Sequence, residues 1–423
     1  MDYVDLKYRP NRDEIIAEFR MDPNGVTFEK ACSEIAAESS IGTWTKVSTM
    51  NPSIARKLKP HVFWINNKER TFKIAYPIGL FEYGNIPQLM SSIGGNIFGM
   101  KMLKSLRLED IDFPESYIRG FRGPEFGIEG IRKRLKIWGR PLLGTIIKPK
   151  VGLTPRQMAK IAYDVASGGL DFVKDDENLT SMKYCRFEDR VPLILEALDK
   201  AEEETGRRIG YSPNITAPAD VMEERAYYAR KHGSKYIMVD VVTAGWSGLQ
   251  YIRNLNMGMI IHAHRAGHAA FTKSPEHGIS MLTIAKLCRL IGVDQIHVGT
   301  AHVGKMVGSI DETCEIEDEI EQKFITEKSG EHVLEQFWYK IRPTISVASG
   351  GLHPGGIPKL VERMGSNIVM QFGGGCHGHP GGSRKGAMAI RQAMEAVRDG
   401  ITLQEKAKQH KELKQAIDKW GVA

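Results

Sequence analysis

The stretch Leu142–Glu177, LLGTIIKPKVGLTPRQMAKIAYDVASGGLDFVKDDE, decides the fold. It opens on an apolar, β-branched run (Leu142–Ile147). A segment with apolar residues at helical spacing follows (Pro155–Ser167), and then a second short run at Phe172–Val173. Strand, helix and strand in that order make a right-handed βαβ unit whose two strands lie parallel in one sheet. The pattern then recurs. Apolar runs stand at Ile209–Tyr211, Tyr236–Val242, Met259–Ile261, Gln295–Val298, Thr344–Ala348 and Asn367–Phe372, with helical segments such as Glu188–Glu204 and Met281–Leu290 between them. Eight strands over about 260 residues predict a (β/α)8 barrel. An open, doubly wound sheet is the alternative, but no G-x-G-x-x-G turn follows an early strand.

Upstream the patterning is mixed. Asp13–Arg20 reads as a strand and Thr27–Ala37 as a helix. His61–Ile65 and Thr71–Tyr76 read as strands about an Asn66-Asn67 turn, and Ile86–Phe98 as a helix. The expected architecture is therefore α/β: a TIM barrel over 131–400, preceded by a small α+β (ferredoxin-like) N-terminal domain over 1–130. A helical tail, 401–423, should pack on the barrel. The composition agrees with a globular chain: 423 residues, 42% hydrophobic and 26% charged. No apolar run reaches the ~20 residues a bilayer demands, and the charged N-terminus carries no signal core. Five scattered cysteines, never in a C-x-x-C pair, read as reduced thiols. A soluble, cytoplasmic protein is expected. Two numbers stand out, 43 glycines and a net charge of +7. A basic balance suits nucleic acid, a membrane surface or a phosphorylated small substrate.

The strand ends choose among these, because barrels gather their chemistry at the C-terminal rim. In order they carry Lys148-Pro149-Lys150, Lys174-Asp175-Asp176-Glu177, Asn214, Asp240, His262-Ala263-His264-Arg265, His297-Val298-Gly299-Thr300, Ser349-Gly350-Gly351 and Gly373-Gly374-Gly375. In isolation Lys174–Glu177 reads as a solvated charged turn more readily than as a site. On the rim, Asp176 and Glu177 become oxygen donors for a hard cation such as Mg²⁺. An ammonium cannot ligate a metal, but a lysine that has captured CO₂ as a carbamate presents oxygens. Lys148 and Lys150 share a face and suit phosphate binding or acid–base work. His262, His264 and His268 leave a zinc site open as the rival metal reading. Arg265 is a natural phosphate clamp. Glycines after strands seven and eight let backbone N–H groups approach a phosphate. A second anion site near Lys150 and Arg265 would complete a receptor for a sugar bisphosphate. Glycines around Lys305 suggest a lid bearing one cation. The basic runs Arg132–Lys136 and Lys406–Lys414 read as solvated helix faces, so no nucleic-acid or membrane partner is expected.

These same residues carry a family resemblance. GTIIKPKVGL (144–153), GGLDFVKDDEN (168–178), HAHRAGH (262–268), HVGT (297–300), SGGLH (349–353) and QFGGG (371–375) strongly resemble the large subunit of ribulose-1,5-bisphosphate carboxylase (RuBisCO). AAESSIGTW (36–44) and GGNIFGM (94–100) match as well, and the likeness covers nearly the whole chain, in the archaeal form III pattern. The resemblance implies Mg²⁺-dependent carboxylation, with competing oxygenation by O₂, of ribulose 1,5-bisphosphate to 3-phosphoglycerate. Activator CO₂ would carbamylate Lys174, which with Asp176 and Glu177 would ligate the metal and abstract the C3 proton. It implies acid–base roles for Lys148 and His264, and a carboxylate-stabilising role for Lys305. Substrate and phosphate contacts would fall to Lys150, Arg265, His297, Ser349, Gly350, Gly351, Gln371, Gly373 and Gly374. Glu38, Thr43, Trp44 and Asn96 would complete a partner subunit's site, so a homodimer, alone or in larger assemblies of dimers and without a small subunit, is expected. Both archaeal CO₂ fixation and AMP salvage fit. Departures are Ile146, where plant enzymes carry threonine, and Cys376-His377 after the last glycines, where Thr-Leu is more usual. A RuBisCO-like enolase or isomerase acting on a related sugar phosphate is the alternative.

Overall fold

A computed structural model describes residues 2–304 and 309–423. Two compact units interleave along the chain: Met1–Gly123 with Gly267–Ile291 and Gln322–Ile341, and Pro124–Ala266 with Gly292–Glu321 and Arg342–Ala423.

In the first unit four antiparallel strands lie in the order Leu103–Asp112, Glu14–Pro23, Thr71–Pro77, His61–Asn66. The short strand Gly278–Ile279 adds in parallel to the Leu103–Asp112 edge. Helix Phe28–Glu38, whose N-cap Thr27 accepts from the Lys30 amide, buries Ala31, Cys32, Ile35 and Ala36 at helical spacing. With helix Ile86–Ile93 the strands form the expected ferredoxin-like split βαβ pattern. Strand Leu103–Asp112 is not among the sequence-based expectations, because its core positions are charged. Arg107, Glu109 and Asp110 are all buried, and Asp110 pairs with Lys286 at 2.9 Å. The helix expected over Ile86–Phe98 stops at Ile93 and resumes as a 3₁₀ turn at Asn96–Gly99. Gly95 makes the break: a Cβ there would lie 2.0 Å from the Ser91 carbonyl oxygen.

The second unit contains the expected barrel. Its strands are β1 (Leu142–Ile146), β2 (Phe172–Lys174), β3 (Gly210–Ser212), β4 (Tyr236–Asp240), β5 (Ile260–His264), β6 (Gln295–Gly299), β7 (Ile345–Ser349) and β8 (Ile368–Phe372). Neighbours run β3-β2-β1-β8-β7-β6-β5-β4, all parallel. A parallel bridge between Asn214 and Met238 joins the outer strands and closes the ring. Helix Gly127–Leu135 stops the end opposite the rim. Its Ile128, Ile131 and Leu135 pack on Leu142, Phe172, Tyr236, Ile260, Ile345 and Val369, near the strand starts. Asp294, ahead of β6, fixes that plug. One oxygen accepts from the Phe126 and Gly127 amides (2.7 and 3.0 Å), and the other from the Ile261 amide (3.0 Å).

Helix Phe187–Thr205 runs unbroken through Pro192. Proline removes the amide that would satisfy the Glu188 carbonyl. The Tyr228 hydroxyl donates to that carbonyl instead, at 2.9 Å. At the C-terminus, helix Lys411–Trp420 packs on Gly382–Arg398, with the Leu413 amide donating to Gln392 (3.0 Å) and Lys385 pairing with Glu412 (2.6 Å). Among the described residues no helix is long and apolar enough to cross a membrane.

Candidate active site

The end of β2 sorts four adjacent charged residues by strand alternation. Lys174 is fully buried, and its amine donates to the Asp175 carbonyl (2.9 Å) and approaches Met238 Sδ (3.2 Å). Asp175 turns the other way, into the barrel wall. One of its oxygens accepts from Arg190 Nε and Nη2 (3.0 and 2.8 Å) and from the Asn214 amide (2.9 Å), and the other from Tyr211 Oη (2.9 Å). Asp176 faces the rim. Lys148 Nζ reaches its Oδ2 at 2.5 Å, and Asn178 donates twice to its Oδ1, from the backbone (3.1 Å) and the side-chain amide (2.9 Å). Glu177 lies between Lys150 Nζ, 3.5 Å from Oε1, and His264 Nε2, 3.6 Å from Oε2. The other imidazole nitrogen of His264 sits 3.1 Å from Asp240 Oδ1, and Asn214 Nδ2 bonds the second Asp240 oxygen at 3.2 Å.

The electrostatics follow. Burial pulls the Lys174 ammonium below its usual range, against the opposing pull of Glu177, Asp240 and Asp176, and so favours the neutral amine that CO₂ requires. Burial would raise Asp176, but Lys148 and Asn178 overcome it and hold the carboxyl low. Arg265 makes no hydrogen bond or ion pair among the described residues, and burial brings its guanidinium down to about 10.

Below the rim runs a polar chain. Gln295 Oε1 lies 2.7 Å from His262 Nδ1, His262 Nε2 lies 2.9 Å from His297 Nε2, and His297 Nδ1 lies 2.6 Å from Ser349 Oγ. Burial drives both imidazoles well below the ordinary histidine range, which favours their neutral form. Ser349 pairs in register with Gln371 on β8. Gln371 is fully buried, and neither amide atom finds a partner among the described residues. Gly350 and Gly351 adopt φ of +114° and +79°, conformations that need glycine. Gly373 lies against the Lys148 side chain: a Cβ there would stand 3.3 Å from its Cε. Gly374 follows as the first residue of a single helical turn. His377 ties this turn down, with Nε2 2.8 Å from Thr145 Oγ1 on β1 and Nδ1 2.9 Å from Ser383 Oγ. Burial lowers it to about 4.

The structure thus gathers Lys148, Lys150, Lys174, Asp176, Glu177 and His264 at one end of the barrel, while His297, Ser349, Gln371 and the glycines belong to the adjoining strands β6, β7 and β8. Lys305 lies outside the described residues. Glu38, Thr43, Trp44 and Asn96 belong to the first unit: Glu38 ends a helix, Asn96 opens the 3₁₀ turn, and Trp44 is 87% exposed. The zinc reading fails on geometry. Both ring nitrogens of His262 are engaged, His268 bonds Thr272 (2.9 Å), and no group of three His, Cys, Asp or Glu suited to a metal occurs among the described residues. A metal at Asp176 and Glu177 therefore needs a third oxygen donor, which a carbamate on Lys174 would provide. That donor set fits Mg²⁺. Sequence reasoning placed Asp240 and Asp175 at strand ends without giving either a role, and it missed Arg190 and the His262–Gln295 link. Position on the rim signalled Asp240, whereas nothing local distinguishes Asp175 from its neighbour.

The models for the N-terminal and catalytic domains of the ribulose bisphosphate carboxylase large chain match residues 2–117 and 127–420. The chain is 50% identical over 427 residues to the ribulose bisphosphate carboxylase of Methanocaldococcus jannaschii, covering 99% of this chain and 100% of the relative. Among solved structures it resembles a dimeric archaeal Rubisco from Hyperthermus butylicus, with a TM-score of 0.94, 47% identity, and coverage of 100% of this chain and 99% of that one. It also resembles an octameric Rubisco from Pyrococcus horikoshii crystallised with sulfate ion, with a TM-score of 0.91, 48% identity, and coverage of 99% and 96%.

Proposed function

The chain belongs to the ribulose bisphosphate carboxylase large-chain family, and we propose that it joins ribulose 1,5-bisphosphate, CO₂ and water into two molecules of 3-phosphoglycerate. The observation that carries the reading is the rim cluster: two carboxylates beside a buried lysine, ringed by Lys148, Lys150 and His264. Lys174 as its carbamate, Asp176 and Glu177 are the residues that would hold Mg²⁺. When bound, that ion supplies Lewis-acid polarisation of the sugar's carbonyl and hydroxyl oxygens.

The protein's own groups do the rest. Lys148 Nζ, held against Asp176, is a proton donor for the final carbanion. His264 exchanges a proton at Nε2, while its Nδ1 accepts from the Ala266 amide at 3.2 Å and the Asp240 carboxylate stands 3.1 Å away as a neighbouring charge. Arg265 and Lys150 receive one phosphate, and the backbone of Gly350, Gly351, Gly373 and Gly374 receives the other. Two anchored ends hold the sugar stretched across the reacting carbons. Lys305 is assigned to the new carboxylate as CO₂ adds. O₂ competes for the same enediolate. The working unit is a homodimer in which Glu38, Thr43, Trp44 and Asn96 complete the partner's site. The pathway, AMP salvage or a phosphoribulokinase-dependent cycle, is decided by which enzymes make the bisphosphate in the same cell. The test is labelled CO₂: after preincubation with CO₂ and Mg²⁺ the label enters 3-phosphoglycerate. A bisphosphate that is enolised or isomerised without taking up label would overturn carboxylation.

A further inference from the structure

The Gln295–His262–His297–Ser349 chain has no place in the chemistry above except at its outer end. It crosses from β6 to β5, back to β6 and out to β7, with links of 2.7, 2.9 and 2.6 Å. Gln295 and His262 are fully buried and His297 is 3% exposed, so water does not complete these contacts.

A neutral imidazole has one N–H and one bare nitrogen. Fixing the proton at any link therefore fixes it at every link. Gln295 turns its carbonyl oxygen to His262 Nδ1, and its buried Nε2 has no partner among the described residues. That nitrogen must donate, so His262 Nε2 is bare and accepts. His297 Nε2 then carries the proton, its Nδ1 is bare, and Ser349 Oγ–H donates inward to it. The reverse order would require Gln295 to present its amide nitrogen instead.

We infer that Gln295, two hydrogen-bonded imidazoles below the rim, is a positioning residue that sets the direction of this chain. It thereby leaves the Ser349 oxygen an acceptor only toward bound sugar. This rests on the proposed function, for which the family resemblance makes Ser349 a substrate contact. It adds a specificity rule. Ser349 selects a hydroxyl on the sugar, which can donate to it, and disfavours a carbonyl or phosphate oxygen, which cannot.

Neutron diffraction from deuterium-exchanged crystals of the wild-type protein reads the direction without using activity. Deuterium is expected on His262 Nδ1 and His297 Nε2, with the Ser349 O–D aimed at His297. Deuterium on His262 Nε2 and His297 Nδ1 overturns the inference. Two variants add a kinetic arm. Gln295→Glu keeps an acceptor at this position and should hold KM for the bisphosphate within about threefold of wild type. Gln295→Leu frees the direction and should raise KM about tenfold, the scale of one lost hydrogen bond, with a smaller change in kcat. Equal KM values for the two variants would also overturn it. A wild-type protein that shows the expected deuterium pattern but fixes no CO₂ would fault the proposed reaction and leave the chain's direction standing.

Discussion

Replacing Asp175 with alanine removes a carboxylate that touches no substrate and yet holds the β2 turn in place. Asp175 and Arg190 are both fully buried, and four donors converge on the carboxylate: two guanidinium N–H groups, Tyr211 Oη and the Asn214 amide. In Asp175→Ala the guanidinium loses its counter-charge inside the barrel wall and keeps a contact with the Cys185 carbonyl at 3.3 Å. Breaking one side of a buried pair costs about 3–5 kcal/mol. A stranded hydroxyl and amide each add ~1–3 kcal/mol. These terms share partners, so the whole is smaller than their sum, about 4–6 kcal/mol. At roughly 2 °C per kcal/mol for a chain this long, Tm should fall by about 8–12 °C. Thermal unfolding followed by circular dichroism at one fixed scan rate measures it. The double variant Asp175→Ala/Arg190→Met removes the orphaned charge and should recover about half of the loss. A fall of less than about 2 °C in the single variant, or a double variant no more stable than the single, would refute the account of Asp175 as the anchor of this turn.

Lys174→Met keeps the buried volume and should leave the protein folded with CO₂ incorporation abolished; residual turnover above background would remove Lys174 from the site. Asp240→Asn should lower kcat by about a hundredfold with little change in thermal stability, the scale of an acid–base group that loses the charge beside it. If residues of the first unit complete a partner's site, Glu38→Gln and Lys174→Met subunits, each inactive alone, should regain up to about a quarter of wild-type activity when co-expressed, because half of the dimers are mixed and each has one intact site of two. Burial, reinforced by Glu321 and Asp318, raises Glu317 to about 8, and its Oε1 has no partner among the described residues. The folded state thus holds a proton that the unfolded chain releases near pH 4.5, and stability declines as pH rises from there to about 8. Glu317→Gln should match wild-type Tm below that window and exceed it increasingly across it. Parallel Tm curves would contradict the shift.

The barrel was legible because its signal is repetition. β-branched runs alternate with helical segments, and the runs end in charged or glycine residues where a rim must be. What escaped has a local cause. Strand Leu103–Asp112 hides its periodicity behind buried charges that only distant partners such as Lys286 neutralise. The overlong helix at Ile86 depended on Gly95, whose neighbour Ser91 is one turn away. Within the site, the residue types at strand ends pointed to a cation and phosphates, but the division of labour between Asp175 and Asp176 rests on which face each presents. A strand of three residues is too short to announce its own alternation. His262 read as metal ligand or structural histidine with equal ease. Gln295, which settles the matter, lies on the next strand, 33 residues away.

Helix Gly127–Leu135 gives the barrel a floor, and the floor has a consequence for traffic. Among the described residues this helix closes the end of the barrel opposite Lys148 and His264. In the proposed reaction, sugar, gas and products would share the ring of strand ends, so each turnover would empty the vessel through the opening by which it was filled. Affinity at the rim therefore works in both directions: every group that draws a phosphate in also delays its departure.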